Sequence, residues 1–339
     1  MKKIIILLII IKKWPRDIRQ VILSFALKLR QQLRAGIVYQ LPEYSAHKIC
    51  KAACKVGDYN TFKKYYKLCD YDMFMEAGRG GNDDILDIMI RGYKADWYEI
   101  FIGACYGGHL DMAKLAVESG ADQLGEGFYY ACRGGRLKVA KWLITKIDYV
   151  PPEAFSTICC KGNIELFKLV LDTDILDIEV NDIQSACYGG NPEIIEYFLK
   201  NGSQSWNYGL IGACGGGHMY LIKDMISRGA RNFNDGFHSA CFSGQLEAVE
   251  YMISLGANYF NCKYLFEIKK VSIVKLLVSH GMATIEDCLS AAVKVNRKKI
   301  IRYFLQNPLE SHHAPKYLEI ILEAARKYDN KKIIKLYSN

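Results

Sequence analysis

The chain has 339 residues, 50% of them hydrophobic and 24% charged, with only seven prolines. This is the composition of a folded protein and excludes a collagen-like or largely disordered one. The formal charge of +9 is uneven: residues 1–55 carry a net +10 and residues 262–339 a net +8, leaving −9 between them, which argues against one continuous nucleic-acid groove and leaves each basic end as a place for an anionic partner.

In chain order, Met1-Lys2-Lys3 precedes an apolar run from Ile4 to Ile11. Eight such residues reach only about 12 Å as a helix, far short of the roughly 20 residues a bilayer needs. Lys12-Lys13-Trp14-Pro15 then stand where a signal peptide carries small residues at its cleavage site, so neither spanning nor secretion is expected. Residues 14–26 read as a short amphipathic helix, with Pro15 at the first helical position and Ile18, Val21, Ile22 and Phe25 on one face. Residues 1–44 are therefore a separate N-terminal helical segment whose apolar face needs a partner.

From residue 45 onward the chain falls into register on an Ala-Cys-x-Gly-Gly motif. Clear copies begin at Ala104, Ala131, Ala186, Ala213 and Ala240, weaker ones at Ala53, Ala77 and Ile158, and Leu265, Ala292 and Ala325 stand at the equivalent place downstream. An apolar residue three places before the anchor (Phe74, Phe101, Phe128, Phe155, Ile183, Leu210, Phe237) makes an i, i+3 stripe, so a short helix ends at the motif. Glycine four places after the anchor supplies the left-handed residue that stops it. A second helix follows, apolar six, eight, nine, twelve and thirteen places past the anchor, as in Leu137, Val139, Ala140, Leu143 and Ile144. The residue ten places past it is charged in Lys114, Lys141, Glu196, Lys223, Glu250, Lys275 and Arg302, which marks an outward face.

A pair of helices this short cannot close its own core, so each unit must bury its apolar face against the next. The predicted fold is all-α, a helical repeat solenoid of about ten helix-turn-helix units over residues 45–339, with a C-terminal capping region from about residue 265. Six of the twelve cysteines, Cys105, Cys132, Cys159, Cys187, Cys214 and Cys241, recur at intervals of 27 or 28 residues. Helices stacked roughly 8–10 Å apart hold such residues too far from one another for disulfides or a shared zinc, so they read as small buried apolar groups in a reducing compartment.

The stretch from Ala104 to Asp122, with Gly107-Gly108-His109-Leu110 and the closing Gly120-Ala121-Asp122, resembles the second half of an ankyrin repeat, and the likeness recurs in phase over roughly residues 50–305. Ankyrin repeats run to about 33 residues with a Thr-Pro-Leu-His turn. This chain has no such turn, and about six residues are missing where the hairpin finger would stand. The short units and their tryptophan-bearing loops are similar to the ankyrin-like repeats of large DNA viruses of amoebae. That resemblance implies a viral protein acting in the host cytoplasm, a non-enzymatic protein–protein interaction module, and a protein partner from the host held on the concave side of the stack.

Ankyrin proteins tend to contact partners through residues just after the anchor. Carried over, that gives Arg79, Tyr106, Arg133, Tyr188 and Phe242, to which Tyr129, Tyr130 and His238 add from the places just before it. Arginine and aromatic side chains dominate interface energetics. Trp97, Leu124, Trp206 and Phe233, seven places before their anchors, either stack each loop on its neighbour in place of the hairpin or meet a partner at the loop tips.

Catalytic residues, metal, cofactor and small-molecule substrate are not expected. No histidine pairs with a partner at ligand spacing, His109 and His218 take the structural His of Gly-His-Leu, His312-His313 alone is a weak metal signal, and Gly215-Gly216-Gly217 lacks the lysine and Ser/Thr of a P-loop. The remaining expectations are a monomer with no membrane partner, and nucleic-acid binding through the basic ends as the rival function. Finally, Pro15, Asp17, Ile18, Ile22 and Ser24 resemble the opening of an F-box. The resemblance implies a substrate adaptor for a cullin-type ubiquitin ligase, with Pro15, Ile18, Val21, Ile22 and Phe25 meeting the ligase's linker subunit; the alternative is a cap over the first repeat.

Overall fold

The computed structural model describes residues 43–337 apart from 67–72, 93, 174, 176–181, 202–203 and 307–313. The expected N-terminal helix of residues 14–26 and the loop histidines His312 and His313 lie outside the described residues. All regular structure among the described residues is helical, and the chain divides into two compact units, Met1–Ile147 and Asp148–Asn339.

Each unit is built from pairs of an inner and an outer helix. In the first unit the pairs are α1 (Glu43–Val56) and α2 (Tyr59–Tyr65), α3 (Phe74–Gly80) and α4 (Asp83–Gly92), α5 (Trp97–Gly107) and α6 (Leu110–Glu118), and α7 (Leu124–Gly134) and α8 (Leu137–Ile144). The second unit continues with α9 (Pro152–Lys161) and α10 (Ile164–Leu171), α11 (Asp182–Gly189) and α12 (Pro192–Lys200), α13 (Trp206–Gly216) and α14 (Met219–Ser227), and α15 (Phe233–Ser243) and α16 (Leu246–Ser254). A 3-10 helix (Cys262–Glu267) then pairs with α17 (Val271–Ser279), followed by α18 (Ile285–Lys294) with α19 (Lys298–Gln306) and α20 (Ala314–Lys327) with α21 (Lys331–Tyr337). Within each unit, inner helices pack on the inner helices of the neighbouring pairs.

The anchor register explains the turn. The anchor carbonyl accepts the N–H five places on, as in Arg136 N to Ala131 O at 2.8 Å and His218 N to Ala213 O at 3.0 Å, which ends the inner helix in a Schellman-type cap. The residue between them takes the left-handed conformation, with φ of 68° at Gly135 and 77° at Gly217. The two degenerate units at the end obey the same rule without glycine: Asn296 (φ 59°) and Asp329 (φ 47°) stand four places after Ala292 and Ala325. Their short polar side chains tolerate that region, and the backbone there carries the repeat past the point where its motif decays.

The glycine one place earlier has a different cause. A Cβ on Gly107 would lie 2.4 Å from the Arg79 carbonyl oxygen, and one on Gly134 would lie 2.3 Å from that of Tyr106. Successive inner helices approach so closely that the previous repeat's backbone occupies the space a side chain would need.

The core follows the pattern. Phe74, Phe101, Phe128, Phe155, Ile183, Leu210 and Phe237 are fully buried, as are Val139, Ala140 and Leu143 of α8, while every charged residue ten places past an anchor is exposed. Burying a side chain of this size stabilises by about 1.5–3 kcal/mol. The six periodic cysteines are buried. Three of the thiols face glycines of the next inner helix: a Cβ on Gly127 would meet Cys105 Sγ at 3.2 Å, one on Gly209 would meet Cys187 Sγ at 3.5 Å, and one on Gly236 would meet Cys214 Sγ at 3.0 Å. Burial pushes the thiols of Cys132, Cys187, Cys214 and Cys241 up to about 12, so they are inert thiols filling small spaces. Cys50, outside that series, is disulfide-bonded.

Two side-chain devices link successive repeats, the first of them in the loops where the hairpin finger is absent. Asn207 Oδ1, near the start of α13, accepts from the backbone N–H of Arg231 (2.8 Å) and Asn232 (3.0 Å) in the following loop, and Asn234 does the same for Asn258 (3.1 Å). The residue five places past the anchor supplies the second device. His109 Nε2 lies 3.1 Å from the Arg79 carbonyl, Arg136 Nε donates to Tyr106 O at 3.0 Å, His218 Nε2 lies 3.1 Å from Tyr188 O, and Gln245 Nε2 donates to Gly215 O at 3.3 Å. Where asparagine takes this place it is too short for that carbonyl. Asn191 instead donates to Gly162 O at 3.0 Å while its Oδ1 caps α12 by accepting from Ile194 N.

Candidate interaction surface

Once the apolar positions are spent on the core, the places five, two and one before the anchor and two after it are the ones most often left for solvent or a partner, although Ile102, Gly103, Gly212 and Gly215 at those places are buried. In the first unit these places bring most of the predicted contact residues together. The Arg79 guanidinium lies over the Tyr106 ring at 4.1 Å, Tyr129 and Tyr130 meet edge to face at 5.1 Å, and Arg133 Nη1 donates to the Tyr129 hydroxyl at 3.5 Å. Arg133 is exposed and the others are half-buried. The same face carries groups that the contact rule did not name. Tyr98 is pushed up to about 12 by burial and by its hydroxyl's hydrogen bond to Glu126, and Glu99 is raised by burial and by the neighbouring carboxylates of Asp96 and Glu126.

In the second unit Tyr188 stands alone and exposed, its ring over Gly215, where a Cβ would lie 2.9 Å away. His238 and Phe242 belong to a larger aromatic group. Their rings stack at 6.2 Å and 15°, His238 meets Phe260 at 5.3 Å and Tyr259 at 6.0 Å, and Phe242 meets Tyr264 at 5.7 Å. Tyr259 and Tyr264 are 58% and 44% exposed, so the group is rooted in the core by Phe260 and open to solvent at its rim. Burial lowers the His238 pKa against the opposing pull of Asp235 and the Tyr259 backbone, and Nε2 is buried without a hydrogen-bond partner. His238 is thus held as a neutral ring among aromatic ones.

Further along, the same helix face closes into a hollow of about 310 Å³ lined by Lys263, Phe266, Asp287, Ser290, Lys294 and Tyr328 among others. The contact rule applied to the anchors Leu265 and Ala292 yields Lys263, Tyr264, Glu267, Ser290, Ala291 and Lys294, of which Lys263, Ser290, Ala291 and Lys294 line the hollow. The signal was present, but these repeats lack the glycine motif that draws attention to them.

The predicted loop residues Trp97, Leu124, Trp206 and Phe233 each open an inner helix and are half-buried, and the Arg228 guanidinium lies 5.4 Å from the Trp206 ring. His109 and His218 serve the inter-repeat hydrogen bonds, and Gly217 turns the chain out of α13. Pro15, Ile18, Val21, Ile22 and Phe25 lie outside the described residues. Among the described residues no group of three or more His, Cys, Asp and Glu is placed to hold a metal ion, and no helix is long and apolar enough to cross a membrane.

Residues 103–144, from the end of α5 through α8, match the family model of ankyrin repeats (many copies). The fold is an ankyrin-like helical repeat. The match takes in the Gly-Gly-His and Gly-Gly-Arg turns with Tyr106 and Arg133, while Arg79 lies before it, and ankyrin repeats are in general protein-interaction modules. No curated protein matches the chain.

Proposed function

We propose that this chain is a non-enzymatic interaction module that holds a protein partner on the inner-helix face of its ankyrin-like repeats. The supporting observation is one of phase. In successive repeats the core takes the same places, the inter-repeat hydrogen bonds take the same place, and the places left over hold Arg79, Tyr106, Tyr129, Tyr130 and Arg133 in the first unit and Tyr188, His238 and Phe242 in the second. These side chains bury large areas while keeping polar contacts, as interface anchors do. The partner in view is a host protein, following the likeness to the short repeats of amoebal viruses, and the setting is intracellular.

Changing Tyr106 and Arg133 together to Ala tests the assignment. The expected result is loss of the captured partner with an unchanged circular dichroism spectrum and melting temperature. Undiminished capture, or unfolding as severe as that from a core change, would show the faces to be assigned wrongly. The ligase-adaptor reading rests on Pro15, Ile18, Val21, Ile22 and Phe25. On that reading deletion of residues 1–34 abolishes co-purification of the ligase's linker subunit at constant melting temperature, whereas deletion of a cap lowers that temperature.

A further inference from the structure

The inner-helix face is mostly open, and the hollow between the 3-10 helix, α18 and α20 is an exception that fits one kind of guest. We propose that this hollow receives a carboxylate side chain from an acidic segment of the protein partner, with Lys263 and Lys294 as its counter-charges. The proposal deepens the interaction-module reading and rests on it.

Size is the first argument. A volume of about 310 Å³ is at the lower end of ligand pockets, enough for one or two side chains and too little for a packed helix or strand. Charge is the second. Lys263 and Lys294 are exposed and make no ion pair among the described residues. Lys294 Nζ is instead held against two rings, 4.8 Å from the centre of Phe266 and 5.8 Å from that of Tyr328, and Lys327 Nζ lies 5.8 Å from the same Tyr328 ring. Ring contacts position an ammonium group without neutralising it, so its full charge remains for an incoming anion.

The one carboxylate in the wall, Asp287, is already engaged. Its Oδ2 accepts from the Thr284 hydroxyl at 2.6 Å and from Thr284 N in the capping box that starts α18. That leaves two lysines against one committed aspartate, in a region from residue 262 to 339 whose net charge is +8. Ser290 adds a hydroxyl at the rim. Tyr264, next to Lys263 in sequence, meets Phe242 at 5.7 Å and through it the ring of His238, so a segment with its carboxylate in the hollow has an apolar surface nearby for a hydrophobic neighbour.

The test uses the full chain and a fluorescein-labelled peptide of six glutamates and one phenylalanine, read by fluorescence polarisation. The expected result is saturable binding that weakens with salt. Lys263→Gln with Lys294→Gln should weaken it by about tenfold or more, and Lys298→Gln with Lys299→Gln, on the exposed start of α19, by less than about twofold. Equal losses from the two pairs, or no loss from the first, overturn the proposal, as does an RNA oligonucleotide that binds through Lys263 and Lys294 where the peptide does not. Hydrogen exchange on the peptide complex separates this claim from the reading beneath it. Protection of α15 and α18 without a lysine effect removes the carboxylate site alone, whereas protection confined to the outer helices α17 and α19 removes the inner-face reading as well.

Discussion

Replacing Gly134 by Ala sets two effects of similar size against each other. Helix propensity favours alanine over glycine by about 1 kcal/mol, and Gly134 is the last residue of α7 with no positive φ to defend. Against that, the new Cβ would lie 2.3 Å from the Tyr106 carbonyl oxygen, while real Cβ contacts stop near 3.0 Å, so α5 and α7 must part by roughly 0.7 Å. The obstructing atom is backbone and has no rotamer to escape into. Overpacking of this kind costs about 1–3 kcal/mol, and the same oxygen accepts the Arg136 Nε bond at 3.0 Å, worth about 1 kcal/mol. The clash therefore wins, and a net destabilisation of about 1–3 kcal/mol is expected, read from urea unfolding followed by circular dichroism at 222 nm. Gly92→Ala is the control, because nothing lies within 4 Å of its Cβ, and it should be neutral or stabilising by up to about 1 kcal/mol. A Gly134→Ala protein as stable as the parent would refute the close-approach account of the first motif glycine.

Leu143→Ala opens a cavity at a fully buried place and should cost about 2–5 kcal/mol by the same urea assay, with Phe128→Ala similar or larger. His218→Ala should lose about 0.5–1.5 kcal/mol with the contact to Tyr188 O, whereas His218→Gln should stay within about 0.5 kcal/mol of the parent, because Gln245 already makes the equivalent bond one repeat later; equal losses would deny the ring that role. The folded-state pKa of His238 lies below its ordinary 6.5, so unfolding takes up a proton between the two values. Its contribution is fully present above pH 6.5 and declines as pH falls below that value; the urea midpoint should drop on acidification, and His238→Phe should flatten that part of the drop.

Most of the fold was legible in the residues. The stripe from Phe128 to Ala131, the apolar places of α8 and the charge at Lys141 each found the environment their spacing implies, because helical periodicity alone decides which side chains share a face. The left-handed glycine was equally local. The rest depended on what lies one repeat away. The first glycine of the motif is there because a neighbouring carbonyl fills its side-chain space, and at Cys105, Cys187 and Cys214 the thiol meets a neighbouring glycine. The residue five places on varies from His to Arg, Gln and Asn, and only the position of the previous repeat's carbonyls shows that all four do one task. For the candidate surface, the contact rule located Arg79, Tyr106, Arg133, Tyr188 and Phe242 as a phase of the repeat. That Arg79 lies on Tyr106, that His238 is closed in by Tyr259 and Phe260, and that Lys263 and Lys294 share a hollow are facts of packing between repeats. Sequence sets which face of a helix a residue occupies; the distance and angle to the next helix set what that residue meets there.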